Sequence, residues 1–388
     1  MPVSTWLLKP AELTLKGENR GSFENILKRN ITRMISRANT KVKFRLTAGR
    51  YYLEAQDEQS EIVENILSRL IGISGWAKTT TCEKTVDTVL ACCIEEGKKL
   101  KERGMKTFKI EARRTDKSFP LNSYDLCCNA GEAVLNTVNG LKVDIHVPQD
   151  VIHIEIREKA YIYSGGKKGL GGLPVGSAGR GLLLLSGGID SPVAGFLMAA
   201  RGMNIDAVHF HAYPYTSNEA KQKTVRLAEI VSSYCPGIRL FILNFTQIQV
   251  RIKENADSQW LTVLLRMAMM EAAEKAALKI KSKCLITGES LSQVASQTIE
   301  NLTCTQSRIK LPVLRPLIGM NKESIISEAR RIGTYEISIL PFFDCCTLFS
   351  PNHPVLYGDP EQANALYEKL TLAPLIDEAL SNCEIIRL

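Results

Sequence analysis

No stretch of the 388-residue sequence approaches the run of roughly 18 apolar residues that a membrane-spanning helix needs. The first ten residues lack the basic head and long apolar core of a secretory signal. The expected compartment is therefore the cytosol, and no membrane partner is expected. None of the 11 cysteines stands in a C-x-x-C pair, so zinc ribbons, thioredoxin-type sites and the common iron–sulfur spacings find no support, and no metal site is expected. The odd count without a signal sequence argues for reduced thiols. There is no internal repeat. The composition, 45% apolar and 23% charged, excludes a collagen-like or wholly disordered chain and is that of an ordinary globular protein of two or three domains.

What is there is unevenly spread. Of the net charge of +8, all lies between residues 1 and 180, which hold 29 Lys and Arg against 21 Asp and Glu; the remainder is balanced at 20 and 20. Such asymmetry fits a nucleic-acid or acidic-membrane partner, or a basic solvated surface without one. Lys98, Lys99, Lys101, Arg103, Lys109, Arg113, Arg114 and Lys117 crowd one stretch.

The apolar spacing divides the chain. Residues 1–57 read as strand, helix (23–38) and two strands (42–46 and 51–55). Residues 58–165 read as an α+β segment with helices over 61–70, 85–103 and 124–139. Its strands are expected over 108–112, 143–147 and 151–157, the last two adjacent. Residues 166–180, rich in Gly, read as a linker. From 181 to 388 strands and helices alternate, with strands at 182–185, 205–211, 240–245 and 284–287, which implies a doubly wound parallel sheet, an α/β fold. Ligands of such sheets sit at the carboxyl ends of the strands.

At the end of the first of these strands stands Ser186-Gly187-Gly188-Ile189-Asp190-Ser191, followed by Pro192 and a helix. Two glycines permit a tight turn and close approach of backbone to phosphate. The hydroxyls of Ser186 and Ser191 can donate to phosphate oxygens, Pro192 suits the first helical turn, and the free N–H groups of a helix start face an anion. A G-x-x-x-x-G-K-[ST] loop is not present, since no Lys follows. The strand–S-G-G-x-D-S–helix arrangement resembles the PP-loop of the N-type ATP pyrophosphatases, which activate a carbonyl oxygen by adenylation. The resemblance implies ATP and Mg²⁺, with Asp190 organising metal and pyrophosphate.

Further segments narrow the resemblance. Leu15-Lys16-Gly17-Glu18-Asn19-Arg20, His209-Phe210-His211-Ala212-Tyr213-Pro214-Tyr215-Thr216-Ser217, Gly288-Glu289-Ser290-Leu291-Ser292-Gln293-Val294-Ala295-Ser296-Gln297-Thr298 and Arg315-Pro316-Leu317-Ile318-Gly319-Met320-Asn321-Lys322-Glu323 resemble the tRNA 4-thiouridine synthetase (ThiI) family, and residues 113–120 resemble that family's THUMP RNA-binding domain. The resemblance implies a ferredoxin-like segment, a THUMP domain and a PP-loop domain in that order. It implies a nucleotide pocket of Leu184, Leu185, Ser186, Gly187, Gly188, Ser191, His209, Phe210, Arg266, Gly288 and Gln297. It implies tRNA as substrate, held by the basic stretch named above and modified at uridine 8. Another PP-loop enzyme acting on a small molecule is the alternative, and a non-catalytic RNA-binding protein is a third reading.

Replacing a uridine C4 oxygen by sulfur needs a sulfur nucleophile after adenylation. Cys345 and Cys346, in a Pro-bounded segment, match the family's sulfur-carrying region, with Cys345 favoured as persulfide carrier and the resolving thiol either Cys346 or, because adjacent cysteines close a strained ring, one elsewhere. The other vicinal pairs, 92/93 and 127/128, read as packing on helices. The chain ends about where the PP-loop domain should, so no C-terminal rhodanese domain is expected. Sulfur would then come from a separate cysteine desulfurase, another persulfide donor or sulfide, and the family's role in thiamine thiazole synthesis is open. A homodimer would suit an RNA longer than one subunit.

Overall fold

The computed structural model describes residues 3–47, 50–342 and 353–388. They form two compact units, residues 1–172 and 173–388.

The first unit runs β1 (Val3–Pro10), α1 (Arg20–Arg37), β2 (Lys43–Thr47), β3 (Arg50–Gln56), α2 (Ser60–Arg69), β4 (Ile73–Cys82), α3 (Val86–Glu102), β5 (Thr107–Arg114), α4 (Ser123–Thr137), β6 (Lys142–Val143), β7 (Asp150–Ile156), β8 (Ala160–Tyr163) and β9 (Lys167–Lys168). The strands form one sheet, ordered β2-β3-β1-β4-β8-β7-β5-β6, with β9 added beside β4. The apolar stripes of α1 (Leu27, Ile31, Met34, Ile35) and α2 (Val63, Ile66, Leu67) close a core over Trp6, Leu8, Leu53 and Trp76. Helix α2 and strand β4 therefore complete the first α+β half, although a division at residue 57 assigns α2 to the second. The two halves share β4, which pairs with β1 over Ile73–Thr79 and with β8 over Thr80–Cys82.

In the second half α3 and α4 cover Phe108, Ile110, Ile152, Ile154, Ile156 and Ile162. The expected adjacency of 143–147 and 151–157 is corrected: β5 lies between β6 and β7, pairing with both. Asp144 ends β6, its Oδ1 accepting the N–H groups of His146 and Val147 at 2.9 Å each. The sheet face away from the helices is itself buried. Leu7, Tyr52, Ala77, Tyr161 and Tyr163 form a small core there, and the Tyr52 and Tyr161 rings stack at 4.6 Å. Arg50 donates to Glu155 at 3.2 Å and Arg45 to Glu158 at 2.6 Å across it. The Gly-rich connection is partly ordered sheet: Lys168 pairs with Gly75, and a Cβ at Gly169 would lie 2.4 Å from the Ile73 carbonyl oxygen.

The second unit runs β10 (Arg180–Leu184), α5 (Asp190–Ala200), β11 (Asn204–His211), α6 (Asn218–Ser232), β12 (Arg239–Asn244), α7 (Thr246–Asn255), α8 (Leu261–Lys279), β13 (Leu285–Ile286), α9 (Ile299–Gln306), β14 (Val313–Leu314), α10 (Lys322–Arg331), α11 (Tyr335–Ser338), α12 (Pro360–Lys369), α13 (Ala373–Ser381) and β15 (Glu384–Arg387). The sheet order is β14-β13-β10-β11-β12-β15, parallel except for β15 at the edge. Helices α5, α6, α10 and α11 pack together, and α7, α8, α9, α12 and α13 form a separate group. The two groups cover opposite faces of the sheet. That is why Leu182, Leu183, Val208 and Leu285 are all buried and the strands read as unbroken apolar runs.

Asp206, 2% exposed, accepts from Arg239 Nη2 at 2.7 Å and pairs with Arg180 at the amino ends of three neighbouring strands. Burial pushes its pKa up, but the two guanidiniums outweigh burial and hold it below the usual carboxylate value; Arg50 and Arg157 do the same for buried Glu155. A depressed native pKa contributes stability that is present above the unfolded-state value of about 4 and is lost as pH falls through the native one. Urea midpoints should thus be level through neutrality and drop below about pH 4, and Asp206→Asn should flatten that drop. An unchanged acid limb in the variant would contradict this assignment.

Among the described residues no helix is long and apolar enough to cross a membrane.

Candidate active site

Strand β10 ends at Leu184, and the chain turns through Leu185–Ile189 before entering α5. The turn is closed by its own hydroxyls. Ser191 Oγ accepts the Ser186 N–H at 2.9 Å and lies 3.1 Å from Ser186 Oγ, which accepts the Gly188 N–H at 3.3 Å. Ser191 is buried, so both hydroxyls first shape the loop. Helix α5 has no side-chain cap at its start. An eleven-residue helix thus opens towards the carboxyl edge of the sheet, where its dipole favours an anion.

A cavity of about 250 Å³ lies beside this loop. Its walls are Leu184, Leu185, Ser186, Gly188, Asp190, Ser191, His209, Phe210, Met269, Met270, Arg266, Thr287, Gly288, Glu289 and Gln297. The structure thus brings together residues from four parts of the sequence that were expected to share a pocket; Gly187 sits in the loop between Ser186 and Gly188. Leu184, Leu185 and Phe210 end neighbouring parallel strands, paired Leu184 to Val208. His209, 4% exposed, has Nδ1 3.1 Å from the Leu185 carbonyl oxygen. Because a carbonyl only accepts, Nδ1 carries the hydrogen there. His211, two residues on, is buried and its pKa is pushed down to about 4, by burial first and then by His209 and Lys221, so it is neutral at pH 7.

Gly288 has a more specific task than close approach to a ligand. A Cβ there would lie 2.7 Å from Ser191 N and 2.8 Å from Ser191 Cα. The absence of a side chain lets the end of β13 touch the first turn of α5.

Asp190 is held at both oxygens. Oδ1 accepts from Lys322 Nζ at 2.6 Å and Oδ2 from Gln293 Nε2 at 2.8 Å. Behind the cavity, Glu289 is 3% exposed and pairs with Arg266 and with Arg315, whose Nε donates at 2.6 Å; Thr287 Oγ1 donates to it at 2.8 Å. Burial works against its charge, but Arg266 and Arg315 prevail and its pKa lies below the usual carboxylate value. Arg266 Nε is buried without a hydrogen-bond partner among the described residues. Removing Glu289 would leave two guanidiniums side by side. Glu289→Ala should cost about 3–5 kcal/mol in urea unfolding and weaken nucleotide binding; a cost below about 1 kcal/mol would show that the pair does not hold Arg266.

Gln293, Lys322, Glu289 and Arg315 have no role in the sequence reading. The partners lie 103 and 132 residues from Asp190, and only the sheet order brings them to it.

Cys345 and Cys346 lie outside the described residues. The chain on both sides is tied down by buried polar groups. Lys223, 5% exposed, donates to the carbonyls of Leu340 at 2.8 Å and Phe342 at 3.4 Å, and Ser338 Oγ donates to the Gly188 carbonyl at 3.3 Å. Downstream, fully buried Asn301 donates to the carbonyls of Val355 and Ala295 and accepts the Gly358 N–H. Of the other vicinal cysteines, Cys93 is core and Cys128 is exposed.

The basic stretch does not form one patch. Lys98 and Lys99 on α3 pair with Glu95 and Glu96. Arg103 donates to Ser164 Oγ at 2.7 Å and pairs with Asp150 at 3.2 Å. On β5, Phe108 and Ile110 face the helices, so Lys109 and Arg113 project from the opposite face. Lys109 pairs with Glu111, and Arg114 Nη1 donates to the Phe119 carbonyl at 3.0 Å. Lys101, Arg113 and Lys117 are exposed; Arg113 lies near enough to Glu111 to help hold its pKa down, without a direct ion pair among the described residues.

Comparison with known proteins gives consistent matches along the chain. Residues 176–372 match the family described as thiamine biosynthesis protein (ThiI), residues 5–77 a ThiI ferredoxin-like domain and residues 83–164 a THUMP domain. A relative from Treponema pallidum named "Probable tRNA sulfurtransferase" is 48% identical over 377 residues, covering 96% of this chain and 93% of the relative. One of the same name from Caldanaerobacter subterraneus is 45% identical over 371 residues, covering 96% of each. Among solved structures, a 4-thiouridine synthetase–RNA complex with bound ATP superposes with a TM-score of 0.92 at 32% identity, over the whole of both chains. PH1313 from Pyrococcus horikoshii shares the fold at 24% identity, with a TM-score of 0.65 over 85% of this chain and 99% of its own.

Proposed function

The chain belongs to the ThiI family of tRNA sulfurtransferases, and we infer that it converts uridine 8 of tRNA to 4-thiouridine by ATP-dependent adenylation followed by sulfur transfer. The observation that carries this reading is the cavity at the carboxyl edge of the parallel sheet, with the S-G-G-I-D-S loop on one side and the Arg266–Glu289–Arg315 group on the other. A small-molecule amidating enzyme would have no use for the THUMP match in the first unit.

ATP lies in the cavity with its phosphates over Ser186–Ser191 and the start of α5. Phe210, Met269 and Met270 supply apolar wall for the base. Arg266, whose Nε has no hydrogen-bond partner among the described residues, faces negative charge. Mg²⁺ would arrive with the phosphates, which suits a site where Asp190 is the carboxylate at the loop and Glu289, the other in the cavity wall, is engaged by Arg266 and Arg315. When bound it would neutralise charge on the departing pyrophosphate.

The uridine O4 attacks the α-phosphorus, pyrophosphate departs and the N3 proton is lost to solvent. Lys322 and Asp190 stand at the loop where charge accumulates on phosphate oxygens. The terminal sulfur of a Cys345 persulfide then attacks C4 and AMP leaves. A second thiol, Cys346 in the simplest case, attacks the inner sulfur; a disulfide forms, the thiolated base is freed, and an external thiol reductant restores the cysteines. A cysteine desulfurase or other persulfide donor reloads Cys345.

The THUMP domain binds the tRNA through phosphates, recognising shape more than sequence, and the target base leaves its stack to reach the cavity. Lys101, Arg113 and Lys117, all exposed, are the first candidates for phosphate contact.

Unmodified tRNA incubated with the protein, ATP and a persulfide donor should gain the near-ultraviolet absorption of 4-thiouridine. Cys345→Ala should abolish it with that donor. Full product from the variant would overturn the carrier assignment, and no product from the wild type under any sulfur source would overturn the reading.

A further inference from the structure

Lys223, on α6, is a buried lysine whose ammonium donates to main-chain carbonyls, those of Leu340 at 2.8 Å and Phe342 at 3.4 Å. Taking an ammonium out of water costs free energy unless hydrogen bonds replace the water. Here the replacements are backbone oxygens, so the buried charge fixes the path of the chain. Hydrogen bonds from a charged donor are roughly twice as strong as neutral ones. The stretch they close is pinned along its length. Just past the other end of α6, Tyr234 donates its hydroxyl to the Ile332 carbonyl at 3.2 Å. Fully buried Thr334 donates from Oγ1 to the Ala329 carbonyl at 3.3 Å. Buried Ser338 donates from Oγ to the carbonyl of Gly188, in the S-G-G-I-D-S loop, at 3.3 Å. Residues 332–342 are thus held on one side by α6 and on the other by the phosphate loop. Phe342 is the last described residue before the segment that contains Cys345.

We infer that Lys223 is a positioning residue for the sulfur-transfer step: by holding the Leu340 and Phe342 carbonyls it fixes the point from which the carrier cysteine must reach the phosphate loop. The inference rests on the reading of Cys345 as the persulfide carrier. Chain length singles out this tie. Phe342 stands three residues before Cys345, and three residues span at most roughly 11 Å. The downstream tie is much slacker, because Asn301 holds the Val355 carbonyl ten residues after Cys345, a span of up to roughly 35 Å. Ser338 joins the same stretch to the loop over which the adenylated base forms, so the origin of the short tether and the electrophile share one frame. A tethered nucleophile gains from such a frame, since its effective concentration at the target depends on where the tether starts. Lys223 is not part of the cavity wall. It acts through the backbone of residues 340–342, and its loss is felt after pyrophosphate has left. A brace that merely kept the unit folded would slow both steps alike.

The test is Lys223→Met, which keeps an unbranched buried side chain and removes the donors, with the two steps read separately on unmodified tRNA. Pyrophosphate release without any sulfur source should stay within about threefold of wild type. Thiolated base formed in a single turnover by protein already carrying persulfide should slow by about 10- to 100-fold, the scale of a misplaced reacting group. Mass spectrometry of the loaded protein gives the persulfide on Cys345, and the rate is taken per loaded chain. Ser338→Ala, which removes the hydroxyl on Gly188 without adding bulk, carries the test if Lys223→Met does not fold. In that variant thiolated base per pyrophosphate released should fall by about threefold or more. Equal losses in release and in transfer would make Lys223 a structural brace and overturn the proposal. So would transfer at the wild-type rate, or a loss confined to persulfide loading. A wild-type protein that releases no pyrophosphate with tRNA, or a Cys345→Ala variant that still thiolates fully from the persulfide donor, would instead count against the function reading, so the two failures are distinguishable.

Discussion

Asp190→Ala lowers thiolated tRNA formation by about 100-fold or more while leaving the fold and tRNA affinity intact; this is the largest effect expected of a side chain in the cavity. The magnitude is that of removing one preorganised electrostatic group from a reacting centre. Asp190 opens α5 at the carboxyl edge of the sheet, its two oxygens taken by Lys322 and Gln293. Its side chain is 18% exposed and that of Lys322 is 42% exposed, so the pair contributes little to folding. Alanine would free both Lys322 and Gln293 and remove the carboxylate available to Mg²⁺. Asp190→Asn should keep the size of the side chain but lose the charge and one of the two acceptors, and should therefore be nearly as inactive. Unfolding curves and filter-binding of tRNA check the first clause, and nucleoside mass spectrometry checks the rate. An alanine variant working at a tenth of the wild-type rate or better would remove Asp190 from the chemistry.

Gly288→Ala should disable the protein by a different route. The new methyl would meet backbone atoms, with Asp190 C at 2.9 Å in addition to Ser191 N and Cα. Backbone cannot rotate aside, so β13 and α5 must separate at the point where the loop is formed. We expect a stability loss of about 1–3 kcal/mol and a fall in ATP affinity of at least about tenfold, since the loop hydroxyls would lose their register. Gly319→Ala is the matched control: nothing lies within 4 Å of its added Cβ, and it should behave as wild type. ATP binding in Gly288→Ala equal to that of Gly319→Ala would show that the close contact is not needed.

The S-G-G-I-D-S turn was legible as a strand–turn–helix because its signals are local. An apolar strand, two glycines, flanking hydroxyls and a proline at the helix start occupy adjacent positions, so its local form can be read without knowing the fold. The cavity residues beyond it follow from the rule that neighbouring parallel strands end together, which brings Leu184 and Phe210 to one wall. The partners of Asp190 and of Arg266 were not legible. Glu289 follows a buried strand as any surface glutamate might, and nothing local marks it as the hub between Arg266 and Arg315. Strand β4 escaped because Ile-Ser-Gly-Trp-Ala-Lys-Thr-Thr-Thr-Cys does not alternate cleanly, both of its faces being buried in its middle by different halves of the unit. The division at 57 failed for a related reason: periodicity shows that 60–69 has an apolar stripe but not which core receives it. The basic stretch is one run in sequence but not one patch in space. Residues close in sequence lie on α3 and on the far face of β5, so its charges are dispersed and several are already engaged by Glu95, Glu96, Asp150 and Glu111.

The central claim is that the S-G-G-I-D-S loop drives adenylation of a tRNA base. Pyrophosphate release from ATP, followed with and without unmodified tRNA and in the absence of any sulfur source, tests it most directly. The account predicts release that requires tRNA, is stoichiometric with target uridines bound, and vanishes in Asp190→Ala. Release that is the same without tRNA, or with tRNA in which the target uridine is replaced by cytidine, would contradict it.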